Sequence, residues 1–353
     1  MRFKTLVLFF LVAGVAAVSF HGCKSKPAAT ESGNVFYYRS ILFSETPWDV
    51  ERGSHALTAE EAKTVNNYKF TYDDQSRLVS VEYNRNGVLL DYSSMGAAKI
   101  TYTYEGNLQT KHFFDHNGAA IDRDGAFAYE YTLDDKGMRS AMRFLDKEGN
   151  PVENRNNIHN WVWTTMPDGM LRELRYNLAG DSVVMNPFCP FYELRFTYDA
   201  SGYVERMANY DHDTLYNCTA ENCGDIGVSY FLFKNNEAGD LLEFTVHNTT
   251  GNLSNLFWGW AKRVNKVDEN GYVIETAVLD QDDEYLGGRN VPVTQTEYDE
   301  HGAMVRRINM NENREVINNP ADGVAYVEYT YDEQGRRTGT VRLDKDKVEV
   351  VTQ

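Results

Sequence analysis

The sequence predicts an all-β protein of tandem antiparallel β-hairpin repeats, about nine units of about 32 residues, that form an elongated twisted or spiralling sheet. Three observations lead to this prediction. A short turn motif recurs at a regular interval, a second turn follows each copy, and apolar and polar residues alternate between the turns. The composition agrees, with 23 Tyr, 26 Gly and 8 Pro in 353 residues, because aromatic residues favour strands and glycine favours tight turns.

The first turn of each unit carries Asp or Asn at its first position in seven copies, and glycine at its fourth position in all copies but one. The fourth positions are Ser76, Gly106, Gly137, Gly169, Gly202, Gly239, Gly271, Gly302 and Gly335. The fourth positions of successive copies are about 32 residues apart. A regular spacing over nine copies is typical of a repeat architecture.

A second turn follows in every unit and again begins with Asp or Asn. The first positions are Asn84, Asp115, Asp146, Asn177, Asp211, Asn248, Asp280, Asn309 and Asp344. Five of these turns have glycine three residues later, at Gly87, Gly118, Gly149, Gly180 and Gly251. Asp or Asn at the first position and glycine at the fourth predict a type I turn closed by a G1 bulge, so each unit contains hairpins.

Residues between the turns alternate with a period of two. In the first unit Tyr68, Phe70 and Tyr72 share one face, whereas Lys69 and Thr71 point to the other. Such alternation predicts half-buried antiparallel strands with one core face and one solvated face. In the fourth unit, two Trp residues occupy the positions of the inward aromatic residues, at Trp161 and Trp163.

An N-terminal targeting segment precedes the repeats. Arg2 and Lys4 are followed by the apolar run Thr5–Val18, which is shorter than the roughly 20 residues of a membrane-spanning helix. Gly22 directly precedes Cys23, which resembles a bacterial lipobox and implies lipidation of Cys23, membrane attachment and residence in the bacterial cell envelope. The expected boundaries are 1–22 for a signal peptide, 23–34 for a lipid-anchor tether, 35–67 for a capping segment and 68–353 for the repeat domain.

The capping segment is expected to protect the open edge of the first strand, since an exposed edge invites pairing with other chains. Within it, Thr58 and Glu61 have the spacing of a capping box. This spacing predicts about two helical turns over Thr58–Val65.

Two stretches of the repeat domain carry a family resemblance. Tyr68–Leu78, with the pattern YxFxYDxxxRL, and Glu328–Arg336, with EYTYDEQGR, resemble the YD repeat of bacterial Rhs-type wall proteins and of teneurins. The resemblance implies long hairpin sheets that spiral, surface attachment and carbohydrate binding. The unit is longer here, which implies an extra short strand and connector in each repeat. Because no separate domain follows the last repeat, delivery of a C-terminal toxin is not expected.

Charge and cysteine content limit the partners. With 52 acidic and 35 basic residues and a formal charge of −17, the chain lacks the basic footprint that nucleic-acid binding requires. Beyond Cys23 there are three cysteines. Cys218 and Cys223 can form a disulfide across a small loop, Cys189 can pair with either of them, or all three can remain thiols.

No pattern in the sequence indicates catalytic residues, a cofactor or a metal site. The eight histidines fall in the signal, in loops, in strand-like runs and in turns. The acidic run Asp280–Glu284 lacks the ligand spacing of a calcium loop.

Trp258 and Trp260 suggest a sharper hypothesis, because two Trp residues at strand spacing can present planar rings to a sugar. The alternative interpretation places them in the core. Two functions remain: a non-catalytic binding or scaffold lipoprotein that contacts a glycan, a wall component or a protein, and a glycan-active hydrolase that uses acidic residues in a cleft.

Overall fold

The computed structural model describes residues 34–184, 193–216, 228–256, 258–286 and 290–351. These residues form one antiparallel sheet of 22 strands, with a single short 3₁₀ helix. The predicted fold class is therefore confirmed. In the described part of the chain, no helix has the length and apolar character needed to cross a bilayer.

Strand order in space largely follows strand order in sequence, because each long strand pairs with the next. In chain order the elements are β1 (Val35–Ile41), β2 (Gly53–Leu57), the 3₁₀ helix (Glu61–Lys63), β3 (Asn67–Tyr72), β4 (Leu78–Arg85), β5 (Val88–Leu89), β6 (Lys99–Glu105), β7 (Leu108–Phe114), β8 (Ala128–Leu133), β9 (Arg139–Leu145), β10 (Asn160–Thr165), β11 (Leu171–Tyr176), β12 (Glu193–Tyr198), β13 (Val204–Asp211), β14 (Thr214–Leu215), β15 (Tyr230–Asn235), β16 (Leu241–His247), β17 (Lys262–Val267), β18 (Val273–Leu279), β19 (Val293–Tyr298), β20 (Met304–Met310), β21 (Tyr326–Tyr331) and β22 (Arg337–Leu343).

Each of the nine units contributes one long hairpin, from β3–β4 in the first to β21–β22 in the ninth. After the second turn the chain returns along the hairpin for a short distance. In units one and five this return forms the strands β5 and β14. In other units it makes a single bridge, as between Leu145 and Pro151. This return is the extra short segment that the long repeat period predicts.

The first turn of the third unit shows why the motif needs its residues. The Gly137 N–H donates to the Asp134 carbonyl at 2.9 Å, and the Asp134 N–H donates to the Met138 carbonyl at 2.8 Å. The Asp134 carboxylate accepts the Lys136 and Met138 N–H groups, both at 2.9 Å. Gly137 has φ 77°, and the strand register shifts beside the turn. These are the features of a type I turn with a G1 bulge.

One face of the sheet can be traced by following directly opposed residues from strand to strand. In the first unit this inner face carries Phe70, which opposes Val81, and Val81 in turn opposes Ile100. From unit one to unit six most residues on this face are apolar and buried. The last such pair is Phe233 and Phe244, on the two strands of unit six. The apolar cores of the first six units therefore lie on this inner face.

The N-terminal segment joins the sheet. Strand β1 pairs with β3 on one side and with β2 on the other. The capping box is present, since Glu61 accepts the Thr58 N–H at 2.8 Å and donates its own N–H to Thr58 Oγ1 at 3.2 Å. The prediction of two helical turns is wrong, because the helix is only a three-residue 3₁₀ turn. Asn67 binds the Ala62 and Val65 carbonyls, at 2.8 and 2.9 Å, and the chain enters β3.

The sheet spirals until its last units contact its first. The Asn66 N–H donates to the His301 carbonyl at 2.7 Å, and His301 Nδ1 lies 2.7 Å from the Thr64 carbonyl. One unit later, Arg336 Nε donates to the Leu89 carbonyl at 3.4 Å. These contacts form a seam between the first unit and units eight and nine.

Gly137 allows a clean test of the turn geometry, because a Cβ added there meets no atom within 4 Å. Only the positive φ then opposes substitution, so Gly137→Val should lower the free energy of unfolding by about 2 kcal/mol, and Gly137→Asn by less. At Gly271 a Cβ lies 2.3 Å from the His55 ring, so Gly271→Asn should cost more than Gly137→Asn. Chemical denaturation measures all three, and equal stability of the two Gly137 variants would contradict the turn assignment.

Candidate functional site

The loop between β1 and β2, residues 42–52, lies against the inner face of the sheet; it is named the β1–β2 loop. Trp48 Nε1 donates to the Arg139 carbonyl at 2.8 Å. Arg52 Nη1 donates to the Ser201 carbonyl at 3.3 Å. The loop thus contacts the third and fifth units, which are distant in sequence from it.

Arg139 on β9 holds the middle of this loop. Its Nη1 donates to the Pro47 and Asp49 carbonyls at 2.9 and 2.6 Å, and its Nε donates to Gln109 Oε1 at 2.9 Å. The guanidinium lies 3.8 Å from the centre of the Tyr131 ring. Because the side chain is only 4 % exposed, these bonds replace the water that the loop carbonyls would otherwise bind.

Glu51 of the loop packs against Lys111 of β7, and only 14 % of the Glu51 side chain is exposed. The Lys111 ammonium and the Tyr102 hydroxyl both donate to its carboxylate. Burial alone would raise the pKa of Glu51, but the charges of Lys111 and Arg139 outweigh burial and lower it to about 2. Glu51 is therefore an anion fixed by two donors at neutral pH.

Glu173 on β11 is the second buried acid under the loop. Its Oε2 accepts the Thr46 hydroxyl at 2.5 Å and the Trp163 indole N–H at 2.9 Å. Burial raises the pKa of Glu173, and the Arg175 guanidinium opposes that shift. Glu173 thereby joins the loop to the aromatic core of the fourth unit.

A cavity of about 650 Å³ lies beside the loop, between units two and three on one side and units six and seven on the other. Its lining includes four carboxylates and three cationic side chains: Glu45, Asp49, Glu51, Asp240, Arg52, Lys111 and Arg123. Burial raises the pKa of Glu45 to about 7, with the Arg263 guanidinium opposing the shift and the Glu173 and Asp49 carboxylates adding to it. The cavity thus contains a carboxyl that protonates near neutrality and another, Glu51, that stays ionised.

Among the residues singled out in the sequence, Cys23, Cys189, Cys218 and Cys223 lie outside the described residues. Trp258 and Trp260 are described, and they occupy a turn between β16 and β17 instead of a strand. Their rings stack on each other at 4.8 Å, and Trp258 Nε1 donates to the Trp260 carbonyl at 2.9 Å. Trp260 also packs edge-on against Phe244 at 5.7 Å. Both rings are partly buried against the core and do not line the cavity.

Sequence reasoning missed Glu51, Lys111, Arg139 and Glu173. A signal was present for three of them, because Lys111, Arg139 and Glu173 are charged residues at inward positions of the alternating strands. A charge at a core position requires a buried partner. The described residues contain no group of three or more His, Cys, Asp or Glu side chains arranged to hold a metal ion.

No protein-family model matches the chain, and no curated protein matches it. Among solved structures, the chain is similar to TcdB2-TccC3-TEV, with 12 % identity over 85 % of this chain and 16 % of that chain, and a TM-score of 0.30. A porin-like protein from Bacteroides uniformis ATCC 8492 gives 9 % identity over 77 % of this chain and 92 % of that one, with a TM-score of 0.26. Similarity this weak assigns neither a family nor a function.

The role of Arg139 can be tested against Arg143, which lies on the same strand but on the opposite face, half-exposed and paired with Glu130. Arg139→Leu orphans two loop carbonyls and removes a cation near buried Glu51, so it should lower the free energy of unfolding by about 3 kcal/mol or more. Arg143→Leu should cost about 1 kcal/mol or less, as exposed ion pairs do. Urea denaturation distinguishes the two, and similar losses would contradict the docking role of Arg139.

Proposed function

We propose that this protein is a lipid-anchored, non-catalytic binding or scaffold module of the bacterial cell envelope, which contacts a glycan, a wall component or a protein partner through its repeat surface. One observation carries the proposal. The charged groups under the β1–β2 loop already bind the protein itself: Arg139 binds loop carbonyls, Glu51 binds Lys111, and Glu173 binds Thr46. Because these charged groups bind other parts of the same chain, they stabilise the spiral. The surface on which a partner can bind is then the extended sheet.

Parts of the outer face of the sheet suit such a role, because cross-strand ion pairs keep them polar. Glu82 lies between Lys69 and Lys99, at 3.3 and 2.8 Å. Arg306 lies between Glu297 and Glu328, at 3.0 and 2.9 Å. Each such pair contributes little to stability at an exposed site. In units seven to nine the outer face also carries the apolar cluster of Ala277, Val293, Ile308 and Met310, so the polar surface covers only part of this face.

The YD-like motifs at Tyr68–Leu78 and Glu328–Arg336 add support, because the resemblance implies surface attachment and carbohydrate binding. The nine hairpins, their glycine turns and the spiral course of the sheet agree with what that resemblance implies for the fold. The family itself remains part of the proposal.

Anchoring depends on Cys23. The Cys23→Ser variant should move from the membrane fraction to the soluble fraction of fractionated cells, because it lacks the thiol that receives the lipid. The mature wild-type protein should also gain the mass of the acyl chains. A Cys189→Ser variant is the control and should stay with the membrane. Unchanged partitioning of Cys23→Ser would refute the anchor.

A specific observation favours a second candidate, a glycan-active hydrolase. Glu45 and Glu51 line the same cavity, and their pKa values, about 7 and about 2, differ as those of a general acid and an ionised partner do in glycosidases. In this alternative Glu45 protonates the leaving-group oxygen as the glycosidic bond breaks, and Glu51 supports the developing positive charge. A water molecule then adds to the sugar carbon and gives a proton back to the Glu45 carboxylate.

One experiment distinguishes glycan binding from glycan hydrolysis. The detergent-solubilised mature protein is incubated with fluorescent peptidoglycan fragments or neutral glucan oligomers, and both the retained ligand and the released reducing ends are measured. We expect retention of a glycan or wall fragment without release of reducing ends, and the same retention by Glu45→Gln. Release of reducing ends that declines as pH rises through about 7, and that is lost in Glu45→Gln, would replace the binding function with hydrolysis, because an acid catalyst must be protonated.

A further inference from the structure

In the described residues, no strand pairs with the outer edge of β22, the last strand of the sheet. Its inner edge pairs with β21 from Arg337 to Leu343. The N-terminal end of the array is arranged differently, because β1 pairs with β3 and β2 pairs with β1. N–H and C=O groups along an unpaired edge form a template on which another strand can pair. The C-terminal end of the sheet presents such a template.

Every earlier unit uses the same edge to bind the next unit. In units one to eight, the second strand of the hairpin pairs through at least three residues with the first strand that follows. At the last of these junctions Ile308 opposes Tyr326. Ile308 lies two residues before Met310, which ends β20, and Val341 lies two residues before Leu343, which ends β22. Val341 is therefore the equivalent of Ile308 in the ninth unit.

Burial differs between Val341 and its equivalents. In units five to eight these equivalents are buried, and each opposes the first residue of the next unit's first strand: Ala208, Thr245, Ala277 and Ile308. Val341 is 37 % exposed, whereas Ile308 is 7 % exposed. Val341 thus occupies one side of a junction that is complete in each of those four units.

The backbone of Thr340 directs its polar groups to the outer edge. The chain that returns after the second turn covers only the end of this edge, where the Val350 N–H donates to the Arg342 carbonyl at 2.8 Å. The N–H and C=O groups of every second residue in an antiparallel strand point to the same side, so those of Thr340 point outward too. The segment Gly339–Val341 contains none of the charged residues or prolines that block pairing at other sheet edges.

We propose that the β22 edge at Gly339–Val341 binds an extended segment of a second polypeptide, which pairs antiparallel and places an apolar residue opposite Val341. This inference rests on the proposed binding function and names a protein partner and its mode of binding. Main-chain hydrogen bonds give affinity in such strand addition, and alternate side chains give specificity. The template for the partner is the set of residues opposite the equivalents of Val341 in units five to eight: Tyr230, Lys262, Val293 and Tyr326.

A second copy of this chain fits the edge less well than a different polypeptide. The other edge strand, β2, already contacts the sixth unit, since Ser54 Oγ donates to the Ala238 carbonyl at 2.6 Å and His55 Nε2 lies 2.8 Å from Asp240 Oδ1. Pairing of β22 with β22 would bring together two chains that each have a formal charge of −17. Such chains repel each other at long range.

The test uses the detergent-solubilised mature protein and a fluorescein-labelled peptide of residues 324–332, VAYVEYTYD, which contains the strand bound to the equivalent edge of β20. Fluorescence anisotropy should show saturable binding. The same peptide with Val327→Pro is the matched control, because Val327 opposes Arg307 in β20, the equivalent of Thr340, and proline cannot donate a hydrogen bond. The control peptide should bind at least about tenfold more weakly.

A pair of protein variants tests the edge from the other side. Thr340→Pro removes an outward N–H and keeps the ladder with β21, so it should lower the affinity for the peptide about tenfold or more. Glu333→Pro is its control, since Glu333 is exposed at the second position of the first turn, where a type I turn favours proline. Its affinity should stay within about twofold. If Thr340→Pro fails to fold, the two peptides still decide the question.

Four results would overturn the inference. The peptide fails to bind the wild type, the Val327→Pro peptide binds as tightly as the parent peptide, or folded Thr340→Pro binds as tightly as the wild type. The fourth is a concentration-dependent dimer of the wild type that Thr340→Pro abolishes, because a second copy would then occupy the edge. Retention of glycan or wall fragments without peptide binding would overturn the edge site and leave the proposed function intact. Release of reducing ends would overturn the proposed function instead.

Discussion

A sheet that is apolar on one face must keep that face out of water, and the described residues form no second layer to cover it. The chain meets the constraint by spiralling around its own β1–β2 loop. A loop packed against the sheet has backbone groups that lose water and need partners. Arg139 therefore binds the Pro47 and Asp49 carbonyls, and Trp48 donates to the Arg139 carbonyl. The buried charges follow from this arrangement, since Glu51 and Glu173 make further contacts of the same loop.

The regular turns make the spiral. Each first turn closes with a residue at positive φ. In seven of the nine hairpins the register also shifts beside the turn, and the extra residue of this bulge increases the local twist of the strands. Summed along the array, the twist of the hairpins brings His301 to Thr64 and Arg336 to Leu89. Curvature thus arises from local geometry, and the loop and the seam fix its final value.

Sequence analysis predicted the features that depend on contacts between residues close together in the sequence. Asp134 and Gly137 determine their turn through bonds inside one hairpin, and alternation shows which residues face inward. The path of the β1–β2 loop depends on packing across more than a hundred residues, and no local pattern encodes it. The helix was overestimated because the Asn67 side chain binds the Ala62 and Val65 carbonyls and the Asn66 N–H donates to His301, so the chain leaves the helix after one turn. The cavity acids were hidden among 52 acidic residues.

The seam also restricts where repeat units can be inserted or deleted. In an open solenoid each repeat touches only its neighbours, so repeats can be added or lost with little effect on the rest. Here the ends of the array recognise each other through Asn66 and His301, and an inserted unit would carry His301 past its partner. The seam therefore constrains the number of hairpins between the first unit and the eighth. Changes in the turns and on the outer face leave the seam in place, whereas a unit inserted before the eighth would break it.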